Sequence, residues 1–227
     1  FMKKKIKLIL SKLNILLFLN NFLFFFRNNQ HTNKKFNSFL YLILELFYQN
    51  DIKVFPFFGT LLGLYRGGGI ISYDNDIDFA ILYNNHRKKI INFFEQNNFI
   101  KTLDCTIVET NQLILEKYKY KKIEIDIFYI YDDENNYYFY DNESDTGLST
   151  MEEINNNIVV NPYLNKITKF NIENISLNGF KLIGPHDPKN LLTELYGNNF
   201  MTPDKFWRQS KRKNRESTNL TISINEY

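Results

Sequence analysis

Two aspartates one residue apart, Asp76 and Asp78, stand inside the run Asp-Ile-Asp-Phe-Ala-Ile-Leu, and no other feature of this 227-residue chain constrains its fold as strongly. The run is apolar and rich in β-favouring residues, so it predicts a strand over residues 77–83. Side chains on a strand alternate between faces, which sends both carboxylates to one side. Carboxylates a few ångströms apart repel and raise each other's pKa unless a cation lies between them. Paired acids at the head of a buried strand therefore ask for a divalent metal. Oxygen ligands with no thiolate suit Mg²⁺ or Mn²⁺.

A second acidic strand is expected at residues 121–131, where Glu124 and Asp126 share one face and isoleucines occupy the other. If it lies beside the first, Asp126 joins Asp76 and Asp78 around one metal centre. The alternative at this point is that each acidic pair marks the solvated face of an edge strand. Upstream, the glycine-punctuated segment Gly59-Thr60-Leu61-Leu62-Gly63 leads into Arg66 and then into three successive glycines.

Other chemistries lack parts. The single cysteine, Cys105, excludes an intramolecular disulfide framework and a cysteine-rich zinc site. Three histidines, none at metal-ligand spacing, leave zinc hydrolase and Ser-His-Asp readings incomplete. Charge is concentrated at the ends: five lysines lie in residues 1–12, and six Lys/Arg face three acids in residues 203–227. Against the formal +3, this leaves residues 13–202 at −5, a poor surface for nucleic acid. The basic ends suit an anionic membrane surface or a phosphate-bearing substrate, or they are solvated tails.

Residues 6–26 are strongly apolar behind Lys3-Lys4-Lys5, yet the longest uncharged stretch, Leu13 to Phe26, falls short of the roughly 20 residues a spanning helix needs. A helix packed on the domain, a helix lying on a membrane and a signal anchor are all compatible with it. The organisation expected is an apolar N-terminal helix in residues 1–32, a catalytic domain in 33–207 and a basic tail in 208–227. Inside the domain, an amphipathic helix is predicted over Asn33 to Gln49, with Phe36, Phe39, Leu40, Ile43, Leu46 and Phe47 buried. A short strand follows over 54–58, then a helix from Gly59-Thr60 that carries Arg66. Further expectations are a helix over 86–98, strands over 112–119 and 136–140 (the latter an edge), a polar loop over 141–165 and a hairpin over 167–183. Asp187 reads as an N-cap with Pro188 at the first helical position.

The segments Gly59-Thr60-Leu61-Leu62-Gly63, Arg66 and Ile71-Ser72-Tyr73-Asp74-Asn75-Asp76-Ile77-Asp78 resemble the signature of the LicD/fukutin family. Ile125-Asp126-Ile127-Phe128 is similar to that family's later acidic strand, and Pro185 through Leu195-Tyr196-Gly197 to its closing element. Two departures stand out: Ser72-Tyr73 occupies the place of the usual Pro-Trp, and Gly67-Gly68-Gly69 is unusually glycine-rich.

The resemblance implies an α+β nucleotidyltransferase-like fold, a mixed sheet flanked by helices. It implies transfer of phosphocholine or an alditol phosphate such as ribitol phosphate from a CDP-activated donor to a cell-surface glycan hydroxyl, with CMP leaving. Asp76, Asp78 and Asp126 would be the catalytic and metal-binding residues. Gly59, Thr60 and Arg66 would bind the donor: a backbone without Cβ approaches phosphate closely, Thr60 adds a hydroxyl, and Arg66 clamps the diphosphate. The implied setting is membrane-associated, at the cytoplasmic face of a bacterium or in a eukaryotic secretory lumen, with no nucleic-acid partner. A nucleotidyltransferase that moves NMP to a protein, RNA or small molecule, and a non-catalytic nucleotide- or glycan-binding module, are the alternatives.

Overall fold

The computed structural model describes residues 32–83, 87–141, 160–204, 207–208 and 211–227. The elements in order are α1 (Thr32–Gln49), β1 (Phe55–Pro56), α2 (Phe58–Gly67), β2 (Asp76–Leu82), α3 (Arg87–Gln96), β3 (Ile100–Ile107), β4 (Leu113–Tyr120) and β5 (Ile123–Asp132). They continue with β6 (Asn136–Asp141), β7 (Tyr163–Thr168), β8 (Ile172–Leu177), β9 (Phe180–Pro185), α4 (Pro188–Tyr196), β10 (Arg215–Ser217) and β11 (Ile222–Glu226). The architecture is α+β.

Strand β5 is the spine of the sheet. Its first part lies between β2, which runs parallel to it, and β4, which runs antiparallel. Its last residues, Tyr131 and Asp132, pair instead with β6, and from there the sheet curls through β7 to β10. On the other side β4 continues through β3 to β11. Residues Ile125, Ile127 and Tyr129 of β5 face α1 and α3, where Phe39, Phe47 and Phe94 complete the larger core. The opposite face carries Phe128 and Ile130, packed near α2 and α4 with Phe57, Leu61 and Leu192. Period-two alternation along one strand thus separates a dry core from the face that bears Asp126.

Helix α1 buries more than one stripe. Leu42 and Leu44 are enclosed along with Phe39, Leu40, Ile43, Leu46 and Phe47. The reason is the β8–β9 hairpin, which covers the helix from outside: Tyr41 stacks on Phe180 with ring centroids 4.1 Å apart. The glycine-rich run after Arg66 stops the helix. Gly68 takes the left-handed conformation at φ 71° and its N–H closes the helix on Gly63 and Leu64. At α4 the predicted cap is present, with Asp187 accepting from the Asn190 N–H at 3.0 Å.

Four expectations need correction. Residues 136–140 are not an edge, because β7 supplies an outer partner to β6. That partner comes from residues 163–168, the first three of which fall in the span 141–165 expected to be a polar loop. Strand β3 escaped notice because bulges at Lys101/Leu103 and Cys105/Thr106 break its alternation. The stretch read as a basic tail contributes β10 and β11 to the sheet and buries Arg212. The expected apolar N-terminal helix lies outside the described residues. Among the described residues, no helix is long and apolar enough to cross a membrane.

Candidate functional site

Three neighbouring strands converge their charges at one level. In the parallel β2–β5 pair Asp78 stands opposite Asp126, and in the antiparallel β4–β5 pair Lys117 stands opposite the same Asp126. Asp76, two residues before Asp78, shares its face. The result is a cluster in which one oxygen each from Asp76, Asp78 and Asp126 lies within 4.8 Å of the others. The structure therefore assembles all three carboxylates that the sequence nominated.

Their electrostatics describe a site with more negative charge than Lys117 alone offsets. Burial, then the Asp76, Asp126 and Asp74 carboxylates, push Asp78 well above the usual carboxylate range. Asp126, only 4% exposed, is pushed up to about 6 by burial, although Lys117 draws it down. Asp74 is likewise raised to about 6, by burial and then by Asp76. Lys117 donates to Asp126 Oδ2 at 2.6 Å. The other oxygen, Asp126 Oδ1, is buried with no hydrogen-bond partner among the described residues. A carboxylate oxygen with nothing to bind, beside two more carboxylates, fits a divalent cation. Asp76, Asp78 and Asp126 are the residues that would hold it.

The start of α2 forms the neighbouring wall. Phe57, at the N-cap, offers no side-chain cap, which leaves the first-turn N–H groups without a side-chain acceptor. Phe58, first in the helix, has φ 35°, a strained value for a side chain of this size. Glycine at position 59 leaves room for the acids: a Cβ would lie 2.7 Å from Asp74 Oδ2 and 3.5 Å from Asp78 Oδ2. Thr60 is 2% exposed, and its Oγ1 accepts from the Asp78 N–H at 2.8 Å. Its hydroxyl ties α2 to β2. Arg66 lies a further two turns along, donating to the Phe200 and Thr202 carbonyls. Of the three expected donor-binding residues, the structure brings Gly59 to the carboxylates, makes Thr60 a brace and engages Arg66 with the turn after α4.

A cavity of about 480 Å³ opens over the carboxylates. Trp207, Tyr196, Phe58 and Arg212 line it, as do Leu103, Cys105, Leu115 and Ile224. Arg212 pairs with Asp141 at 3.1 Å and lies 4.5 Å above the Phe58 ring. Asp141 is also held by Arg215 and Asn165. A second cavity of about 450 Å³ shares Gly59, Asp74, Tyr196 and Trp207 with the first and adds Tyr73, Asn199, Thr202 and Asp204. Tyr196 and Trp207, in ring contact at 4.5 Å, stand between the two.

Sequence reasoning missed Lys117, Asp141, Arg212 and Arg215. For Lys117 a signal existed: in β4 it alternates with the buried Leu115 and falls where an antiparallel neighbour of the Asp126 strand would place it. The other three depend on partners far apart in the chain and left no local pattern.

The family described as LicD/FKTN/FKRP, nucleotidyltransferase domain, matches residues 51–175, just over half of the chain. Two relatives are similar over shorter stretches. An uncharacterised protein of Rickettsia prowazekii (strain Madrid E) is 33% identical over 106 residues, covering 44% of this chain and 40% of the relative. An uncharacterised protein of Rickettsia typhi (strain Wilmington) is 32% identical over 102 residues, covering 44% and 33%. The matched part is thus well under half the length of either curated relative.

Proposed function

The chain belongs to the LicD/FKTN/FKRP nucleotidyltransferase family, and from that premise we propose that it transfers a phospho-alcohol from a CDP-activated donor to a glycan hydroxyl. The family is phosphotransferase-like in general; donor and acceptor are our reading. The observation that carries it is the cluster of Asp76, Asp78 and Asp126 within 4.8 Å, beside Gly59 in the first turn of α2.

In this reading the acceptor oxygen attacks the phosphorus that bears the alcohol. The bond from that phosphorus to the bridging oxygen breaks, and CMP leaves with the electron pair. The acceptor proton passes to a carboxylate on the cavity wall that is not holding the cation. Bound Mg²⁺ or Mn²⁺ supplies neutralisation of the charge that develops on the diphosphate oxygens. The chain itself contributes position: Gly59 admits a phosphate close to the backbone, and the uncapped N–H groups of α2 face negative charge. Two cavities that meet at Gly59 and Asp74 suit a reaction in which two substrates must touch. Tyr73, Tyr196 and Trp207 offer aromatic faces for a sugar in the second of them.

Membrane association through residues 1–32, at a bacterial cytoplasmic face or in a secretory lumen, belongs to the same proposal. Its support is the lysine-flanked apolar sequence.

The test is calorimetry of CDP, CDP-choline and CDP-ribitol with Mg²⁺ or Mn²⁺, on the wild type and on Asp76→Ala with Asp78→Ala. Metal-dependent binding of one CDP-alcohol, lost in the double variant, is the expected result. Binding of ATP or UTP in place of every cytidine ligand would sink the proposal.

A further inference from the structure

Lys117 has no role in the reading above, yet it touches the carboxylate cluster. The β4–β5 register sets it opposite Asp126, and its Nζ lies 2.6 Å from Asp126 Oδ2. Its side chain is 35% exposed and lines the 480 Å³ cavity. The attraction of Asp76 and Asp78 also acts on it, with Asp126 foremost.

The two oxygens of Asp126 have different surroundings. Oδ2 receives Lys117, whereas Oδ1 is buried without a partner among the described residues. One carboxylate can therefore hold an ammonium on one side and a divalent cation on the other at the same time. An ammonium carries three donors, and the bond to Asp126 uses one of them. Two positive centres held side by side at a cavity wall match two adjacent phosphate groups. Lysine acts there as a point charge.

We propose that Lys117 binds the diphosphate of the substrate, alongside the divalent cation held by Asp76, Asp78 and Asp126. This rests on the reading of the site as a diphosphate-using transferase. Lys117 then takes the role the sequence reading assigned to Arg66, whose guanidinium is engaged with the Phe200 and Thr202 carbonyls. In the metal-free protein the same lysine serves as counter-ion to the acidic cluster, so its removal leaves a more negative and more metal-avid site. A purely structural ion pair would behave otherwise, since its loss would weaken fold and ligand binding together.

The experiment is calorimetry on the full chain for the wild type, Lys117→Met and Lys117→Arg. The titrants are Mn²⁺ alone, then inorganic pyrophosphate and CDP at saturating Mn²⁺, with thermal melting of each variant. Lys117→Met is expected to weaken pyrophosphate and CDP at least tenfold while Mn²⁺ binds as tightly as before or tighter; Lys117→Arg is expected to recover most of the loss. Unchanged pyrophosphate and CDP affinity in Lys117→Met would overturn the assignment. So would loss of Mn²⁺ affinity together with a lowered melting point, or failure of both probes to bind the wild type. If pyrophosphate binds through Lys117 and CDP does not bind at all, the cytidine-donor reading falls and the Lys117 assignment stands. If CDP binds equally to wild type and Lys117→Met, the assignment falls and the donor reading stands.

Discussion

A Cβ at Gly59 would come within 2.7 Å of Asp74 Oδ2, so the first turn of α2 and the acidic turn before β2 are in contact through the absence of a side chain. The atom in the way is the end of a side chain, and Asp74 can rotate aside. Alanine is also the better helix former, by roughly 1 kcal/mol. Gly59→Ala is therefore expected to fold with a stability within about 1 kcal/mol of wild type. What it loses is the close approach: Mn²⁺-dependent nucleotide affinity should drop by about tenfold or more, equivalent to about 1.4 kcal/mol. Melting curves and calorimetry on one sample check both parts.

Asp78 illustrates a site whose chemistry opposes its stability. Burial and three neighbouring carboxylates penalise its ionised form. Asp78→Asn removes that penalised charge, so in EDTA the variant is expected to melt no lower than wild type. Mn²⁺ at a hundred times its Kd would stabilise the wild type by about 2.7 kcal/mol, which is about 5–10 °C for a chain of this size. Asp78→Asn should show no such shift. Scanning calorimetry with and without Mn²⁺ makes the comparison, and a wild type indifferent to Mn²⁺ would remove the metal from the proposal.

The acidic half of the site was legible because its information is local. Asp76 and Asp78 sit one residue apart, and Asp126 sits in a run whose isoleucines declare the opposite face. The helix from Gly59 and the cap at Asp187 were legible for the same reason, each being a matter of a few adjacent residues. What stayed hidden was long-range. Arg66 reaches across to Phe200 and Thr202, and Asp141 gathers Arg212 and Arg215 from the far end of the chain. A guanidinium reads alike in sequence whether it will hold a phosphate, a carbonyl or a carboxylate. Strands β3 and β11 were hidden by bulges, by shortness and by a composition shared with the basic tail.

Beneath the site, on the other face of β4, Glu116 is fully buried and accepts from Arg87 at 2.7 Å, from Lys101 at 2.8 Å and from the Tyr129 hydroxyl. Burial alone would raise its pKa, but the hydrogen bonds from Lys101, Tyr129 and Arg87 outweigh it and hold the carboxyl below its usual range. A group with a lowered folded pKa contributes stability above its unfolded pKa, about 4.3, and loses it as pH falls through the folded value. Wild type should therefore lose stability steeply below about pH 4.3. Glu116→Gln should start less stable at neutral pH, by about 2–4 kcal/mol, and show a flatter acid limb. Urea unfolding at a series of pH values tests this, and parallel curves for the two proteins would refute it.

Arg66 and Lys117 make different predictions from the same charge. Arg66 donates to two backbone carbonyls that anchor the turn after α4, which forms a wall of the second cavity. Hydrogen bonds from a charged donor contribute roughly 1.5–3 kcal/mol, and partial exposure of this one favours the lower end. Arg66→Ala is thus expected to cost about 2 kcal/mol of stability while leaving Mn²⁺-dependent pyrophosphate affinity within about twofold of wild type. The pattern differs from that expected for Lys117→Met, which should lose the anion, keep its Mn²⁺ affinity and, with the counter-ion of Asp126 gone, melt lower in EDTA. Urea midpoints and pyrophosphate titrations on the two variants separate the roles. If Arg66→Ala loses pyrophosphate as Lys117→Met should, the guanidinium must leave the carbonyls when substrate binds, and the diphosphate must extend toward the second cavity.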